Sequence, residues 1–478
     1  MRKLLLALML TLFAISGVQA EPYGEIGKIS WKVDTITGVL TFTSYGNQNT
    51  LPGVKDREHW KDNSQYITTV VLGDGITSVA PDALNDLNIV SIVIFNNYKG
   101  SGGIPTIADG NFTDTDLDNI TIVVPKNPSG NDLNNLKNFF GEDFTDKMVI
   151  GNLDNITIAK CGDKLNYMLT GNTLRITGEG AMYDYTEAAV APWGTTVQTI
   201  EIGNKVTSIG SYAFSRCTGL TTVTLNSNAA IGANAIPETA TTHFILNDKQ
   251  QLLLNNNSYD QVSYVRTYNN TNWQALYLPY EISYEDWSEN FDVARINNVH
   301  QYDDDEDENI DRTTIEIIYL KSGSLKANFP YFIKAKTTGS ITLTVSDKTT
   351  VNPIDAQSRD CSSFTDIYTF VGTYQGIPGE VMMNNNYYGM SGGSLVSVTN
   401  PEYGLGAMRW YLQIKDKYAA QSIRPRNIEI KEIGGTTDIQ DITNEENKNG
   451  IYYDLSGRPI ENPTRGIYIL NNKKVFIK

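Results

Sequence analysis

The sequence predicts a mainly β fold, with short coiled repeat blocks followed by an antiparallel β-sandwich or jelly-roll-like domain. Three observations predict it. Apolar residues recur every 22 or 23 positions in two stretches of the first half, the two stretches align with each other at an offset of 130 residues, and residues 241–436 carry eleven short alternating runs between Asn, Gly and Asp turns.

The repeat is clearest in VTSIGSYAFSRCTGLTTVTL, residues 206–225, where the apolar positions fit neither a strand nor a helix period. Val197, Ile200 and Ile202 recur as Leu220, Val223 and Leu225, and Ile209-Gly210 with Ala213-Phe214 recurs as Ile231-Gly232 with Ala235-Ile236. The L-x-x-V-x-L part reads as a short strand with alternate side chains inward, and I-G-x-x-A-F as a tight return turn whose Ala and Phe fill the space behind it. One such coil buries too few side chains to offset the entropy of ordering it, so coils must stack.

The same unit is read in the first third. Ile67, Val70 and Leu72 recur as Ile89, Ile92 and Ile94, and Val70 and Leu72 have third counterparts in Ile120 and Ile122, after the insert NNYKGSGGIPT. SWKVDTITGVLTFTSYG matches NYMLTGNTLRITGEG, each followed by a Trp (Trp60, Trp193), and TTVVLGDGITSVAPDAL aligns with QTIEIGNKVTSIGSYAF, which reads as a duplication.

The 206–225 pattern, preceded by ITGEGAMYDY and PW, resembles the BspA-type leucine-rich repeats of bacterial surface proteins, and VVPKNPSGNDLNNL resembles the segment that often closes such an array. The match is specific over 155–240 and looser over 28–150, where Ala80-Pro81 and Leu84 replace the Gly-x turn and the Phe. WQALYLPYEISYEDW with NFPYFIKA and FVGTY resembles a β domain that follows repeat arrays in exported proteins of Bacteroidetes-like bacteria, and GIYI with KKVFIK resembles a type IX secretion sorting signal. The resemblance implies adhesion to host matrix proteins or other cells.

The domain reading is then a signal peptide over 1–20, repeat block 1 over 21–150, repeat block 2 over 151–240, a β-sandwich over 241–436, a polar linker over 437–449 and a sorting-like hairpin over 450–478. The signal is read from basic Arg2 and Lys3, the apolar run Leu4 to Phe13 and the small-residue site before Glu21, so an exported protein, extracellular or on the outer-membrane surface, is expected. No apolar run is long enough to span a bilayer as a helix. The formal charge of −16 has the wrong sign for tracking phosphates, so no nucleic acid partner is expected.

Chemical motifs are sparse. GMSGG at 389–393 fits G-x-S-x-G, but no His follows His300, so Ser391 lacks its base and the glycines read as a turn. Asp303, Asp305 and Asp307 stand at EF-hand spacing, but Glu308 and Thr314 occupy the positions that need Gly and Glu; Asp114, Asp116 and Asp118 fail likewise. The three His and three Cys form no zinc spacing, and Cys217 reads as a buried small hydrophobe. No catalytic residue, metal or cofactor is assigned, and the chain is read as a non-enzyme.

What remains is surface. The outward strand positions Thr69, Val71, Ser91, Val93, Thr199, Glu201, Thr222 and Thr224 form the candidate binding ladder, with host matrix or cell-surface proteins as partners. The alternative is a glycan-binding module in 241–436, with Trp273, Trp287, Trp410 or several Tyr stacking on sugar rings. A glycoside hydrolase is the least favoured reading, and it requires two carboxylates in one cleft, at least one with a raised pKa.

Overall fold

The computed structural model describes residues 22–46, 49–53, 58–96, 104–124, 128–151, 155–304, 311–355, 358–362, 366–416 and 428–433, with short pieces at 440–442, 452–454, 458–460, 466–470 and 473–477. The leader at 1–20 and the acidic positions Asp305 and Asp307 lie outside them. The chain is mainly β and divides into two units, Met1–Phe244 and Ile245–Lys478.

In the first unit one plan occurs twice. Each block opens with antiparallel strands. In the first block these are Tyr23–Ile26, Ile29–Asp34 and Val39–Ser44; in the second, Ile156–Lys160, Leu165–Thr170 and Thr173–Gly178. The turns are written locally: Asp34 Oδ1 accepts the N–H groups of Ile36 and Thr37 at 2.9 Å each, and Gly38 (φ +74°) and Gly171 (φ +58°) supply the left-handed positions of their hairpins.

Parallel strands follow, one per coil. In the first block they are Thr69–Leu72, Ile92–Phe95, Thr121–Val124 and Met148–Ile150. In the second they are Thr199–Ile202, Thr222–Leu225 and the start of Thr241–Asn247. Shorter return strands form a second parallel sheet in each block: Thr50–Leu51, Ser78–Val79 and Thr106–Ile107 in the first, and Gly180–Ala181, Val206–Ile209 and Ala230–Ile231 in the second.

The side chains between the two faces make each core. In the second block Ile200, Ile202, Val223, Leu225, Ala213 and Phe214 are buried, and Trp193 sits edge-on to Tyr167 at 5.4 Å while its Nε1 donates to the Ala213 carbonyl at 3.0 Å. Trp60 takes the corresponding place in the first block, 4.9 Å from Phe42. The return corner needs a left-handed residue in every coil, at Asp82 (φ 59°), Tyr212 (φ 55°) and Asn234 (φ 53°). Gly210 is required by close approach, since a Cβ there would lie 1.9 Å from the Tyr183 carbonyl oxygen of the preceding coil. The helix Gly130–Phe140 closes the first array, with Leu136 and Phe140 inserted into its core.

One register differs from the sequence alignment. Thr69 pairs with Ile92 and Val70 with Val93, so the inward residues of the second coil are Val93 and Phe95, and Ile92 and Ile94 face outward. Ile122 and Val124 continue the inward rows as counterparts of Val70 and Leu72. The spacing from Val70 to Val93 is 23, not 22, and a slip of one residue exchanges the two faces of a strand.

The second unit is a β-sandwich. One sheet has the order Gln274–Leu276, Tyr331–Ala335, Phe291–Tyr302, Arg312–Tyr319, Ile428–Ile433; the other Ser358–Ser362, Asp366–Thr373, Arg409–Asp416, Tyr388–Ser391, Ser394–Ser397. Their facing sides share a core of Ala275, Ile296, Ile315, Ile317 and Phe332 against Phe370, Trp410, Leu412 and Ile414. All pairs within these two sheets are antiparallel except one: Ile428–Ile433 runs parallel to Arg312–Tyr319 at the edge. Near the C-terminus Gly466–Leu470 pairs with Lys473–Ile477, and Gln440–Ile442, from the segment read as linker, adds a parallel edge strand.

Candidate interaction surface

The two repeat blocks carry the same outward positions with opposite chemistry. In the first block the strand sequences are TVVL, IVIF and TIVV, apolar on both faces; in the second they are TIEI and TVTL, apolar on alternate positions only. At the 130-residue offset Val71, Ile92 and Ile94 correspond to Glu201, Thr222 and Thr224.

The structure gives the reason. Val71, Ile92, Ile94, Val123 and Val149 form a buried cluster with Met168 of the second block's opening hairpin, with Ile156 and Ile158 alongside. Around it Asn166 Nδ2 donates to Thr69 Oγ1 at 3.2 Å, and Ser91 Oγ lies 3.3 Å from Thr177 Oγ1. A further ion pair joins Lys205 and Asp116 at 2.6 Å. Thr69, Val71 and Ser91 are therefore buried, as is Val93, which points into the coil core. These four are removed from the candidate surface. Three face the opening hairpin of the other block, and the fourth was placed on the wrong face by the register slip.

Thr199, Glu201, Thr222 and Thr224 remain, half-buried side by side. Strand register extends them into two rows. One is a threonine row, Thr173, Thr199, Thr222 and Thr241; the other runs Arg175, Glu201, Thr224, His243. Arg175 holds Glu201 with both arms of its guanidinium, Nε to Oε2 at 2.7 Å and Nη2 to Oε1 at 3.0 Å, which fixes the second row in place. The His243 imidazole, lowered by burial from its ordinary pKa, is held toward its neutral form. Such a face offers hydroxyls, one neutralised ion pair and an imidazole on a rigid sheet, which suits polar contact with an extended macromolecule. The sequence placed four of these residues; it omitted Thr173, Thr241, Arg175 and His243, whose membership follows from register.

The other candidates resolve one by one. Ser391 closes the strand Tyr388–Ser391 and pairs with Ser394 across Gly392 and Gly393, both left-handed (φ 60° and 91°), so GMSGG is a two-residue hairpin turn. Trp273, Trp287 and Trp410 are all buried, 6%, 2% and 0% exposed, so none forms the solvent-facing platform that the glycan alternative placed on them. Cys217 is buried with its thiol pushed up to about 11 by burial, and Cys161 is raised likewise, which makes both inert as nucleophiles. Among the described residues no group of three or more His, Cys, Asp or Glu is placed to hold a metal ion. The displaced carboxyl groups there, Asp184, Asp248, Glu281 and Glu432, are all lowered, the opposite of what a general acid needs. No helix among them is long and apolar enough to cross a membrane.

No curated protein matches the chain. Among solved structures, a leucine-rich repeat protein from Eubacterium ventriosum ATCC 27560 is 15% identical over 48% of this chain and 79% of its own, with a TM-score of 0.16. A leucine rich cell surface protein from Faecalibacterium prausnitzii A2-165 is 10% identical over 49% of this chain and 90% of its own, with a TM-score of 0.11. The family similarity lies in the sequence itself: residues 193–277 match the BspA type leucine rich repeat region.

Proposed function

We propose that the chain is an exported, non-catalytic recognition protein that binds a macromolecular partner through the outer face of its second repeat block. The partner class is a protein of host matrix or of a host or neighbouring cell surface. The observation that carries this reading is the asymmetry between the blocks: equivalent strand faces are apolar and covered in the first, polar and uncovered at Thr199, Glu201, Thr222 and Thr224 in the second. A stacked sheet of this kind presents a preformed surface, and binding to it costs little ordering entropy. The similarity to BspA type repeats over 193–277 supports the same class of activity and names no ligand.

The test is binding of the full chain to immobilised matrix proteins, with Thr199→Lys/Thr222→Lys as the paired variant. Both side chains lie on the half-buried face, so the lysines extend into solvent and block approach without entering the core. Saturable binding that falls at least tenfold in the variant, with an unchanged melting temperature, is the expected result. Binding that survives the substitution moves the function off this face.

A further inference from the structure

A second site is built inside the sandwich unit, from residues far apart in sequence. Asp248 is gripped by Arg409, whose Nη2 reaches Oδ1 and Oδ2 at 2.7 and 2.8 Å, and by the Tyr264 hydroxyl at 2.6 Å. Arg266 stands on the other side with its Nε 3.8 Å from Asp248 Oδ2, beyond hydrogen-bond length, while its Nη1 donates to the Ala275 carbonyl and its Nη2 to Gln274. Both arginines are deeply placed, 4% and 8% exposed.

These groups line a cleft of about 300 Å³ together with Lys249, Thr267, Asn269, Asn270 and the glycines 392, 404 and 406. Asp248, Lys249, Arg266 and Arg409 are the ionised groups of its wall, three cations against one carboxylate. Two guanidinium charges sharing one carboxylate in a desolvated wall leave an uncompensated charge, which is costly to bury without a counter-charge. In a chain whose formal charge is −16, that local surplus is a departure that packing alone does not require.

We infer that the cleft is a binding site for the carboxylate of a small polar molecule. A planar guanidinium matches a planar carboxylate, and the Arg266 Nε, whose 3.8 Å approach to Asp248 Oδ2 is an ion pair but not a hydrogen bond, is the donor with room for a second acceptor. Lys249, exposed at the rim, adds a point charge, and Asn269, Asn270 and Thr267 offer neutral polar contacts to the rest of the ligand. Asp248 then serves to hold Arg409 in place and does not itself meet the ligand. Volumes near this size hold single small ligands.

The experiment is calorimetric titration of the full chain with glucuronate, acetate, inorganic phosphate and the neutral methyl glucoside. Saturable glucuronate binding, absent for methyl glucoside and weakened at least tenfold by Arg266→Gln, is expected. Arg266→Gln leaves the Asp248–Arg409 pair intact. Should that variant lower the melting temperature, Lys249→Gln decides: a weakening of threefold or more upholds the site, and unchanged affinity overturns it. Absence of glucuronate and acetate binding overturns the inference, as does binding of phosphate alone.

Discussion

Replacing Ile92 by Ala tests the covered outer face of the first block directly. Ile92 is fully buried in the cluster with Val71, Ile94, Val123, Val149 and Met168, although it lies on the solvent face of its own coil. The substitution removes three carbon atoms, about 2.4 kcal/mol at ~0.8 kcal/mol each. The cavity left behind brings the expected loss to about 3 to 4 kcal/mol, within the usual range for such truncations. Thr222→Ala is the internal control, since Thr222 is the duplicate of Ile92 at the 130-residue offset and is half-buried; its expected cost is below about 1 kcal/mol. Hydrogen exchange of the full chain, read on peptides covering 222–225 for the control and 92–95 and 165–170 for Ile92→Ala, measures both. A 3 kcal/mol loss speeds exchange there by roughly 150-fold through sub-global opening. Equal and small effects at the two positions would refute the covered-face account, because Ile92 would then be as free as its duplicate.

The two buried tryptophans provide a second comparison. Trp193 Nε1 has the Ala213 carbonyl as acceptor and Trp60 Nε1 has none, so Trp193→Phe should cost about 1 kcal/mol more than Trp60→Phe in urea unfolding. At the return corner Tyr212 holds φ 55°, where its counterpart in the next coil is Asn234; Tyr212→Asn should raise the melting temperature, by the equivalent of up to about 1 kcal/mol. Gly210→Ala should lose more than about 1 kcal/mol in the same assay, since its Cβ would meet a backbone oxygen that cannot move without displacing the coil before it. The sandwich unit should weaken in acid. Burial alone would raise the Asp248 pKa, but Arg409 and Arg266 hold it below the ordinary carboxylate value. A folded-state pKa below the unfolded one contributes stability above the unfolded value of about 3.9, and that contribution is lost as pH falls through the folded one. The melting temperature of that unit should therefore drop below about pH 4, and Asp248→Asn should flatten this limb while lowering stability at pH 7.

Much of the fold was legible because it is local. The strand positions of the second block, its return turns at Ile209-Gly210 and the paired Trp60 and Trp193 follow from a repeat long enough to mark which side chain points inward. The closing role of 123–136 was likewise readable, and the structure puts the helix Gly130–Phe140 there. The failure at Val93 has a specific cause. In IVIF every residue is apolar, so alternation carries no phase, and a spacing of 22 or 23 cannot be chosen from composition. That same uniformity was the unused signal: a strand apolar on both faces is a strand covered on both faces.

The sequence by itself determined that the chain is β, repetitive and duplicated, because backbone period and turn chemistry are written within a few residues of where they act. Tertiary structure alone decided what covers the apolar outer face of the first block. That choice depends on the opening hairpin of the second block lying against strands some 75 to 100 residues earlier, as in the bonds from Asn166 to Thr69 and between Thr177 and Ser91. It also decided that Asp248 meets Arg409 across 161 residues, with Arg266 beside the pair in the wall of a cleft. Such pairings are set by which surfaces exclude water together, and no local spacing encodes them.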